Sequence, residues 1–306
     1  MKYIKNTTEF LIEEPTVISL GKFDGIHRGH ELLLEQLLKK KQEGYATVIF
    51  TFDIPPKKAL ESDDIKVLTT NEEKMHMFDS FGIDYLIECP FTSEVRNMEP
   101  ETFIKMLVEK LSVKCIVAGE DFCFGKDRRG NYQMLQELAG KLSYEAVILP
   151  KMKEENRDIS STYVREEVMA GRIEKANKLL GYPYFVSGEV KHGNRIGRTI
   201  GFPTINLIPP ENKLLPAYGV YITKVTIEGI VYSGVTNVGC KPTIEGKNPV
   251  GIETFILDFT GDVYEKVVMV TFIKKIRDEQ KFPNLESLLE QMRLDEQEAR
   301  YYFSLH

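Results

Sequence analysis

Residues 21–30, which read GKFDGIHRGH, bring glycines and histidines together in one short segment. The segment follows a strand-like run and opens a helical one, where free backbone N–H groups and the helix dipole favour anions. Its glycines are Gly21, Gly25 and Gly29, and their lack of a side chain lets a phosphate approach the backbone. His27 and His30 can donate hydrogen bonds to an α-phosphate as charge develops on it. The pattern favours phosphate chemistry, with Phe23 and Asp24 as further nucleotide contacts.

The segment is also compatible with two roles that involve no phosphate. The glycines can be ordinary turn residues, and the histidines can be surface residues. The spacing of His27 and His30 also suits zinc, but zinc needs a third and usually a fourth ligand. Neither a cysteine pair nor an adjacent carboxylate with a further histidine supplies these ligands. Phosphate chemistry is therefore favoured over turn residues and over zinc binding.

A second cluster of polar residues lies at residues 159–165, which read ISSTYVR. Its hydroxyl residues are Ser160, Ser161 and Thr162, all at the start of a helical run. Taken alone, they are simply good residues for a helix N-cap. Together with the histidine segment they predict a second phosphate clamp, in which Arg165 is the cation for the β- and γ-phosphates.

A third segment, residues 193–206, reads GNRIGRTIGFPTIN and is rich in glycine. The residues predicted to bind substrate here are Gly197, Arg198 and Gly201. Thr204 and Asn206 lie on one side of an extended segment and offer neutral oxygen ligands to Mg²⁺. They can equally be a turn-forming pair. The chain contains no Walker A sequence, so any kinase chemistry must use a different phosphate loop.

The elements that must position these residues differ between the two halves of the chain. In the first half, strand-like runs at 16–20, 46–52, 85–88, 115–118 and 145–149 alternate with helical runs at 30–41, 71–81, 100–111 and 132–141. A capping box formed by Thr70 and Glu73, and Pro100 at a first helical position, support two helix starts. This alternation predicts a Rossmann-like parallel sheet with helices on both faces. Such sheets bind ligands beyond the carboxyl ends of their strands.

The pattern changes near Gly181. Helical runs at 161–170 and 173–180 are followed by strand-like runs at 185–191, 220–227, 230–237, 251–258 and 267–272, and by one helix at 285–303. Glu228 and Gly229 have the composition of a tight hairpin turn. The order predicts a small antiparallel β-barrel with a terminal helix. We therefore expect two domains, residues 1–182 and residues 183–306.

Composition limits the classes of function. The chain has 306 residues, 42% of them hydrophobic and 28% charged, which is enough for two packed cores. Its net charge of −6 argues against nucleic acid as the main partner. There is no signal-peptide pattern, and no segment reaches the ~18 apolar residues of a membrane span. The four cysteines lie far apart, which is typical of a reduced, cytoplasmic protein.

The phosphate motifs of the first half resemble the nucleotidylyltransferase superfamily. Together with residues 119–125 (GEDFCFG), they resemble the FMN adenylyltransferase module of prokaryotic bifunctional FAD synthetases. The resemblance implies that ATP is held for in-line attack of FMN on the α-phosphorus. It places Asp121 in the nucleotide or metal site and Phe122 and Phe124 near the flavin, although core packing accounts for either phenylalanine equally well. The family pattern FDPHP is FDIPP here, with Pro55 at the histidine position.

The motifs of the second half resemble riboflavin kinases. The segment GFPTIN at 201–206 is similar to their Pro-Thr-Ala-Asn motif, and further matches follow in the family's order at 237–239, 241–243, 253–254, 258–259 and 277–282. The resemblance implies that Glu253 is the general base and that Thr204 and Asn206 hold the metal. It places Asn237 among the substrate contacts and Arg277 near the flavin end. Phe255 stands where the family usually has histidine, and Glu253 without the resemblance would be a solvated strand residue.

These matches lead us to expect a bifunctional enzyme that phosphorylates riboflavin to FMN and adenylylates FMN to FAD. ATP is the co-substrate, Mg²⁺ the expected metal, and self-association is left open. Two alternatives remain: one of the two activities is absent, or the chain is a non-catalytic flavin-binding regulator. A tRNA-ligase fragment is disfavoured, since the sequence offers neither a basic surface nor an RNA-binding element.

Overall fold

The computed structural model describes residues 1–53, 66–191, 201–240 and 250–305. The chain forms two compact units, residues 1–161 and 162–306, and each is described separately below. Within the described residues, no helix is both long enough and apolar enough to cross a membrane.

The first unit is built on a parallel sheet of six described strands. They are β1 (Lys2–Lys5), β2 (Thr16–Leu20), β3 (Ala46–Phe52), β4 (Tyr85–Cys89), β5 (Val113–Gly119) and β6 (Glu145–Leu149). Their spatial order is β1-β4-β3-β2-β5-β6, and every neighbouring pair is parallel. From β2 the chain builds first toward β4 on one side and then toward β6 on the other. This is the doubly wound order, and the predicted Rossmann-like class is confirmed.

Helices cover both faces of this sheet. They are α1 (Arg28–Gln42), α2 (Asn71–Ser80), α3 (Ser93–Arg96), α4 (Pro100–Lys110) and α5 (Tyr132–Leu142). The alternation of β2 explains the two layers: Val17 packs with residues of α1 and α2, whereas Ile18 packs with residues of α4 and α5. The predicted capping box at the start of α2 is present, with the Thr70 side chain accepting from the Glu73 backbone N–H at 3.2 Å.

Some elements of the first unit were not anticipated. The edge strand β1, the short helix α3, and a small hairpin formed by β7 (Lys153–Glu154) and β8 (Arg157–Asp158) are additional to the predicted set. The start of α1 was predicted at residue 30 but lies at Arg28, so His27 is its N-cap. His30 therefore lies within the first turn of the helix rather than at its first residue.

The second unit is a closed antiparallel barrel with a long terminal helix. Its described strands are β9 (Phe185–Lys191), β10 (Thr204–Ile208), β11 (Gly219–Ile227), β12 (Ile230–Cys240), β13 (Val250–Ile256) and β14 (Val267–Arg277). The barrel order is β10-β13-β12-β11-β14-β9. The turn at Glu228 and Gly229 joins β11 to β12, with φ angles of 50° and 83°. A helix over Leu285–Leu305 follows, and the predicted barrel with a terminal helix is confirmed.

Two helices before the barrel pack with it. The helix α6 (Ser161–Met169) begins where the two units divide, and α7 (Ile173–Leu180) follows; the terminal helix is α8 (Leu285–Leu305). Asn177 of α7 donates from Nδ2 to the carbonyl of Phe272 at 2.9 Å, and its Oδ1 accepts from the N–H of Tyr184 at 2.7 Å. The carbonyl of Val168 accepts from the N–H of Ala217 at 3.2 Å. The expected domain boundary after residue 182 stays a prediction, but α7 belongs structurally to the barrel unit.

Candidate active sites

The first candidate site lies where the strand order of the parallel sheet reverses. Loops leave the carboxyl ends of β2 and β5, which are neighbours in the sheet but lead to helices on opposite faces. A crevice forms at such a point, and ligands of doubly wound sheets bind there. The loop after β2 carries His27 and the loop after β5 carries Asp121. The two predicted motifs therefore meet at the ligand-binding edge of the sheet.

The two histidines form a stacked pair at the start of α1. Their ring centroids are 3.8 Å apart, and the ring planes differ by 18°. Burial lowers the pKa of His27 to about 4, although the negative charge of Asp121 opposes this shift. Burial, followed by the proximity of His27, lowers the pKa of His30 well below its usual range. Both imidazoles are therefore uncharged at neutral pH.

The ring atoms of this pair point to a ligand. Nδ1 of His27 and Nδ1 of His30 are buried and have no hydrogen-bond partner among the described residues. A buried polar atom without a partner is costly, because it has lost its bonds to water. An oxyanion such as a phosphate at the helix start would supply acceptors for imidazole N–H groups. These buried nitrogen atoms without a partner favour a phosphate-binding role for His27 and His30 over a role as ordinary surface residues.

Asp24 and Gly25 organise the loop between β2 and α1. The Asp24 carboxylate accepts from the backbone N–H of Leu68 at 2.7 Å and of Thr69 at 3.2 Å. The N–H of Gly25 donates to Oγ1 of Thr69 at 3.0 Å, and Ser161 Oγ donates to the Asp24 carbonyl at 2.8 Å. Gly25 has φ +74°, and a Cβ there would lie 2.7 Å from the Leu68 side chain. The predicted nucleotide contacts Asp24 and Ser161 thus hold the loop in shape.

Phe23 supports the histidines from the core. Its ring is fully buried, lies 5.0 Å from the His30 ring, and packs edge-on against Phe78 at 5.5 Å. A Cβ on Gly21 would come within 3.1 Å of the Phe23 ring, so glycine there leaves room for this packing. Phe23, predicted as a nucleotide contact, therefore lies behind the histidines.

Asp121 has a basic neighbour that the sequence motifs do not include. Lys151 Nζ lies 3.7 Å from Oδ2 of Asp121 and 3.0 Å from Oδ2 of Asp158. Lys151 follows β6 almost directly, so it too lies at the carboxyl edge of the sheet. The sequence could have indicated Lys151, because it is a cation just after a predicted parallel strand. Phosphate sites are rich in positive charge at that edge of a sheet. Lys151 thus adds a positive charge of the kind that phosphate oxygens require.

Phe122 and Phe124 occupy different environments although their rings stack 5.5 Å apart. Phe124 is 5% exposed and belongs to the core that also contains Phe103. Phe122 covers this core from outside and remains half-buried. Core packing thus accounts for Phe124, whereas Phe122 keeps a surface on which a flavin ring can stack.

Replacing Phe122 by alanine is expected to raise the KM for FMN in the adenylylation reaction about 10-fold, because one stacking surface is lost. The melting temperature of the Phe122→Ala variant should change little. Phe124→Ala, the matched variant, should instead lower the stability by roughly 3–5 kcal/mol through a core cavity. Steady-state kinetics and thermal unfolding of both variants check this contrast. An unchanged KM in Phe122→Ala would exclude Phe122 from flavin binding.

The remaining residues of the hydroxyl cluster lie along the start of α6. Ser160 precedes the helix and is half-buried, Thr162 is exposed, and Arg165 is half-buried one turn into the helix. Thr162 and Arg165 belong to the barrel unit, whereas Ser160 belongs to the first unit. Their predicted part in a phosphate clamp stays a prediction.

The second candidate site is a row of residues that crosses the barrel. Arg277 pairs with Val220, Val220 with Asn237, Asn237 with Glu253, and Glu253 with Asn206. Residues directly opposite on neighbouring strands point to the same face of the sheet. Four predicted site residues, separated widely in sequence, therefore share one face of five neighbouring strands. Thr204 lies on this face as well, two residues before Asn206 on β10.

A cavity of about 460 Å³ lies over this row. The barrel contributes Thr204, Val220, Val235, Asn237, Glu253, Phe255 and Arg277 to its lining, and the other lining residues are Phe202, Glu279, Gln280, Phe282, Leu288, Met292 and Asp295. Phe255, the departure from the family pattern, meets Phe202 edge-on with ring centroids 5.1 Å apart. Aromatic and aliphatic walls with a few polar groups are typical of a pocket for a flat organic ring.

The oxygen donors of this face fit a magnesium ion. Thr204 lines the cavity, Asn206 is 9% exposed, and Glu253 lies directly across from Asn206. Mg²⁺ prefers oxygen ligands and usually binds through a few protein oxygens together with substrate phosphates. Among the described residues no group of three or more His, Cys, Asp and Glu side chains forms a metal cage. The donor set therefore suits a metal that arrives with ATP.

Four of the sequence predictions fall in the parts of the chain that the structure does not describe. Pro55, Gly197, Arg198 and residues 241–243 lie outside the described residues. Gly201 follows one of these gaps, is exposed, and has φ +83°, a conformation that glycine adopts readily.

A doubly wound sheet with a candidate phosphate site at its switch point, and a barrel with a cavity of about 460 Å³, are the features of a two-part nucleotide-using enzyme. The family model for FAD synthetase matches residues 10–163, and that for riboflavin kinase matches residues 180–303. The chain belongs to the bifunctional riboflavin kinase/FMN adenylyltransferase family. The resemblance deduced from the motifs is thereby confirmed.

Relatives match over almost the whole chain. The protein of that name from Bacillus subtilis (strain 168) is 36% identical over 297 residues, covering 94% of this chain and 93% of its own. That from Escherichia coli (strain K12) is 34% identical, covering 96% and 94%. A crystal structure from Streptococcus pneumoniae, described as a macrolide-efflux protein, has a TM-score of 0.89 at 33% identity and covers 97% of this chain and 98% of that one.

Proposed function

We propose that the parallel-sheet unit transfers the adenylyl group of ATP to FMN and that the barrel unit transfers the γ-phosphoryl group of ATP to riboflavin. The observation that carries the proposal is the row on the barrel face. It brings Asn237, Glu253 and Arg277 into the lining of one cavity, and Asn206 lies directly across from Glu253 on the neighbouring strand. The buried Nδ1 atoms of His27 and His30, which have no partner among the described residues, support a separate phosphate site in the sheet unit.

Adenylylation needs little from the protein beyond positioning and charge stabilisation. The FMN phosphate oxygen attacks the α-phosphorus in line, the bond to the bridging oxygen breaks, and pyrophosphate leaves. The uncharged rings of His27 and His30 donate N–H bonds to α-phosphate oxygens as their charge increases. Lys151 is the cation of this unit for the leaving pyrophosphate, and Arg165 is the second cation that the sequence predicts. FMN and FAD are the substrate and product of this reaction.

Phosphorylation of riboflavin needs a base as well. Glu253 accepts the proton of the ribityl 5′-hydroxyl as its oxygen attacks the γ-phosphorus, and ADP leaves. Thr204 and Asn206 would hold Mg²⁺, which neutralises phosphate charge when it is bound. Arg277 and the aromatic walls of the cavity orient the flavin ring.

The setting proposed for the enzyme is the cytoplasm, with riboflavin, FMN and ATP as its partners. The described thiols Cys89, Cys115 and Cys123 are free, in keeping with a reducing compartment. Burial raises the pKa of Cys89 to about 11, so this thiol is protonated and unreactive at neutral pH. Nucleic acid and membranes are not proposed as partners, and self-association stays open.

The direct test is to incubate the purified chain with riboflavin, ATP and Mg²⁺ and to separate the flavins by chromatography. Appearance of FMN followed by FAD supports both reactions. FMN alone shows that the sheet unit is inactive, and conversion of supplied FMN but not riboflavin shows that the barrel unit is inactive. Tight flavin binding without any product would instead favour a regulator.

The two activities are expected to separate when the chain is divided. Residues 162–306 should convert riboflavin to FMN without producing FAD. Residues 183–306, cut at the predicted boundary, lose the contacts of Asn177 and the buried residues Leu179 and Leu180 of α7. This shorter fragment should lose at least ~3 kcal/mol of stability and melt more than about 10 °C lower. Circular dichroism and the chromatographic assay check both fragments, and a folded but inactive 162–306 fragment would show that the kinase site is shared.

A further inference from the structure

The terminal helix contributes a buried carboxylate to the wall of the barrel cavity. Asp295 lies on α8 with its side chain only 4% exposed, and it lines the cavity beside Arg277. Its Oδ1 accepts from Arg277 Nε at 3.0 Å, and its Oδ2 accepts from Arg277 Nη2 at 2.7 Å. Gln291, one turn earlier on the helix, donates from Nε2 to Oδ1 at 2.9 Å. A two-point bond of this kind fixes the plane of the guanidinium as well as its position.

Arg277 is constrained on its other sides too. Its Nη1 donates to the carbonyl of Asp278 at 3.2 Å, and its guanidinium carbon lies 5.7 Å from the centroid of the Phe282 ring. Among the described residues, these contacts use three of the five N–H donors of the guanidinium. One N–H on each terminal nitrogen remains for a ligand in the cavity. Arg277 is also the last residue of β14, where the strand alone does not fix so long a side chain.

The position of Arg277 relative to Glu253 suits one elongated substrate. The two residues lie in the same row, three strands apart around the closed barrel, and both line the cavity. A flavin has its reacting hydroxyl at the end of the ribityl chain and its ring carbonyl oxygens at the opposite end. Glu253 can therefore act at the hydroxyl while Arg277 faces the ring.

A purely stabilising role accounts poorly for this pair. Removing two charges from water is expensive, and apolar residues of similar size often stabilise a protein as well as a buried ion pair does. The neighbours Leu288 and Met292 show that the same helix face can present apolar side chains to the cavity. This chain instead has a charged pair at the point where the guanidinium reaches the cavity wall.

We propose that Asp295 is a positioning residue for the kinase reaction. It holds the guanidinium of Arg277 in the cavity wall so that its remaining N–H groups donate to a carbonyl oxygen of the flavin ring. The proposal rests on the proposed kinase function of the barrel unit. Asp295 touches neither the reacting hydroxyl nor ATP in this arrangement, so its effect should appear in flavin binding rather than in the chemical step.

The test uses the full chain carrying Asp295→Asn, a change that keeps the size but removes the charge. The KM for riboflavin is expected to rise about 10-fold, while kcat and the KM for ATP stay within about threefold of the parent values. Adenylylation of supplied FMN should not change and serves as an internal control. Glu298→Gln on the same helix removes a carboxylate that pairs at 3.5 Å with Lys274, outside the cavity lining, and should leave all constants unchanged.

A double variant separates positioning from general stabilisation. In an Arg277→Met background, adding Asp295→Asn should raise the KM for riboflavin no further, since Asp295 acts through Arg277. Asp295→Glu, which keeps the charge, should recover part of the lost affinity and is the variant to use if Asp295→Asn does not fold. An unchanged KM in the first variant, additive effects in the double variant, or equal changes in the KM for riboflavin and for ATP would overturn the proposal. A parent chain that forms no FMN would refute the kinase function itself.

Discussion

Glu253→Gln is expected to lower FMN formation from riboflavin by ~10²–10⁴-fold, because glutamine cannot accept the proton of the attacking hydroxyl. The side chain keeps its length and shape, and its position opposite Asn206 and Asn237 in the barrel is unchanged. Riboflavin should therefore still bind with a similar dissociation constant. The loss should appear in kcat, measured by chromatography of the flavins at saturating ATP and Mg²⁺.

Two controls make this result specific to the barrel site. The same variant should adenylylate supplied FMN at the parent rate, since that reaction belongs to the sheet unit. Glu228→Gln changes a glutamate at the exposed turn between β11 and β12, where the side chain is 68% exposed and pairs with Lys266. It should leave both activities intact. A folded Glu253→Gln variant with near-parent FMN formation would show that another group is the base.

Much of the fold follows from local patterns in the sequence. The periodicity of the first half predicts the strands and helices around the switch point, and the capping box of Thr70 and Glu73 predicts the start of α2. The edge strand β1 was missed because Lys2–Lys5 is short, and its sequence KYIK offers little alternation. Its place beside β4 is fixed by pairing with a strand distant in sequence, which local patterns do not report.

The residues of the barrel site could be predicted from sequence motifs, but their arrangement could not, because it depends on the register of the strands. Resemblance to known motifs identified Glu253, Asn237 and Asn206, but their alignment in one row depends on how β10, β12 and β13 pair. Asp295 was missed because it lies outside the motifs and stands in a helix rich in charged residues, where a carboxylate is usually solvated. Its burial and its contact with Arg277 distinguish it from the other acidic residues of α8.

The structure also separates residues that the motifs treat alike. Within one motif, Phe124 is a core residue and Phe122 covers that core from outside. Within the histidine segment, Asp24 bonds to the backbone of residues 68 and 69, whereas the histidine rings keep unpartnered nitrogens among the residues described. Such differences arise from tertiary packing, which decides whether a conspicuous side chain supports a site or faces a ligand.

The second prediction with a large expected effect concerns the histidine pair, His27 and His30. His30→Ala is expected to lower FAD formation from FMN by ~10²-fold or more, because an N–H donor to the α-phosphate is lost. His30→Gln should restore part of the rate, since its amide can still donate a hydrogen bond. His76→Ala, which changes an exposed histidine on α2, is the matched control and should have no effect. FMN formation from riboflavin should hardly change in any of these variants, as measured by chromatography alongside circular dichroism. Equal loss of both activities in a folded His30→Ala protein would contradict the assignment of the two reactions to two separate sites.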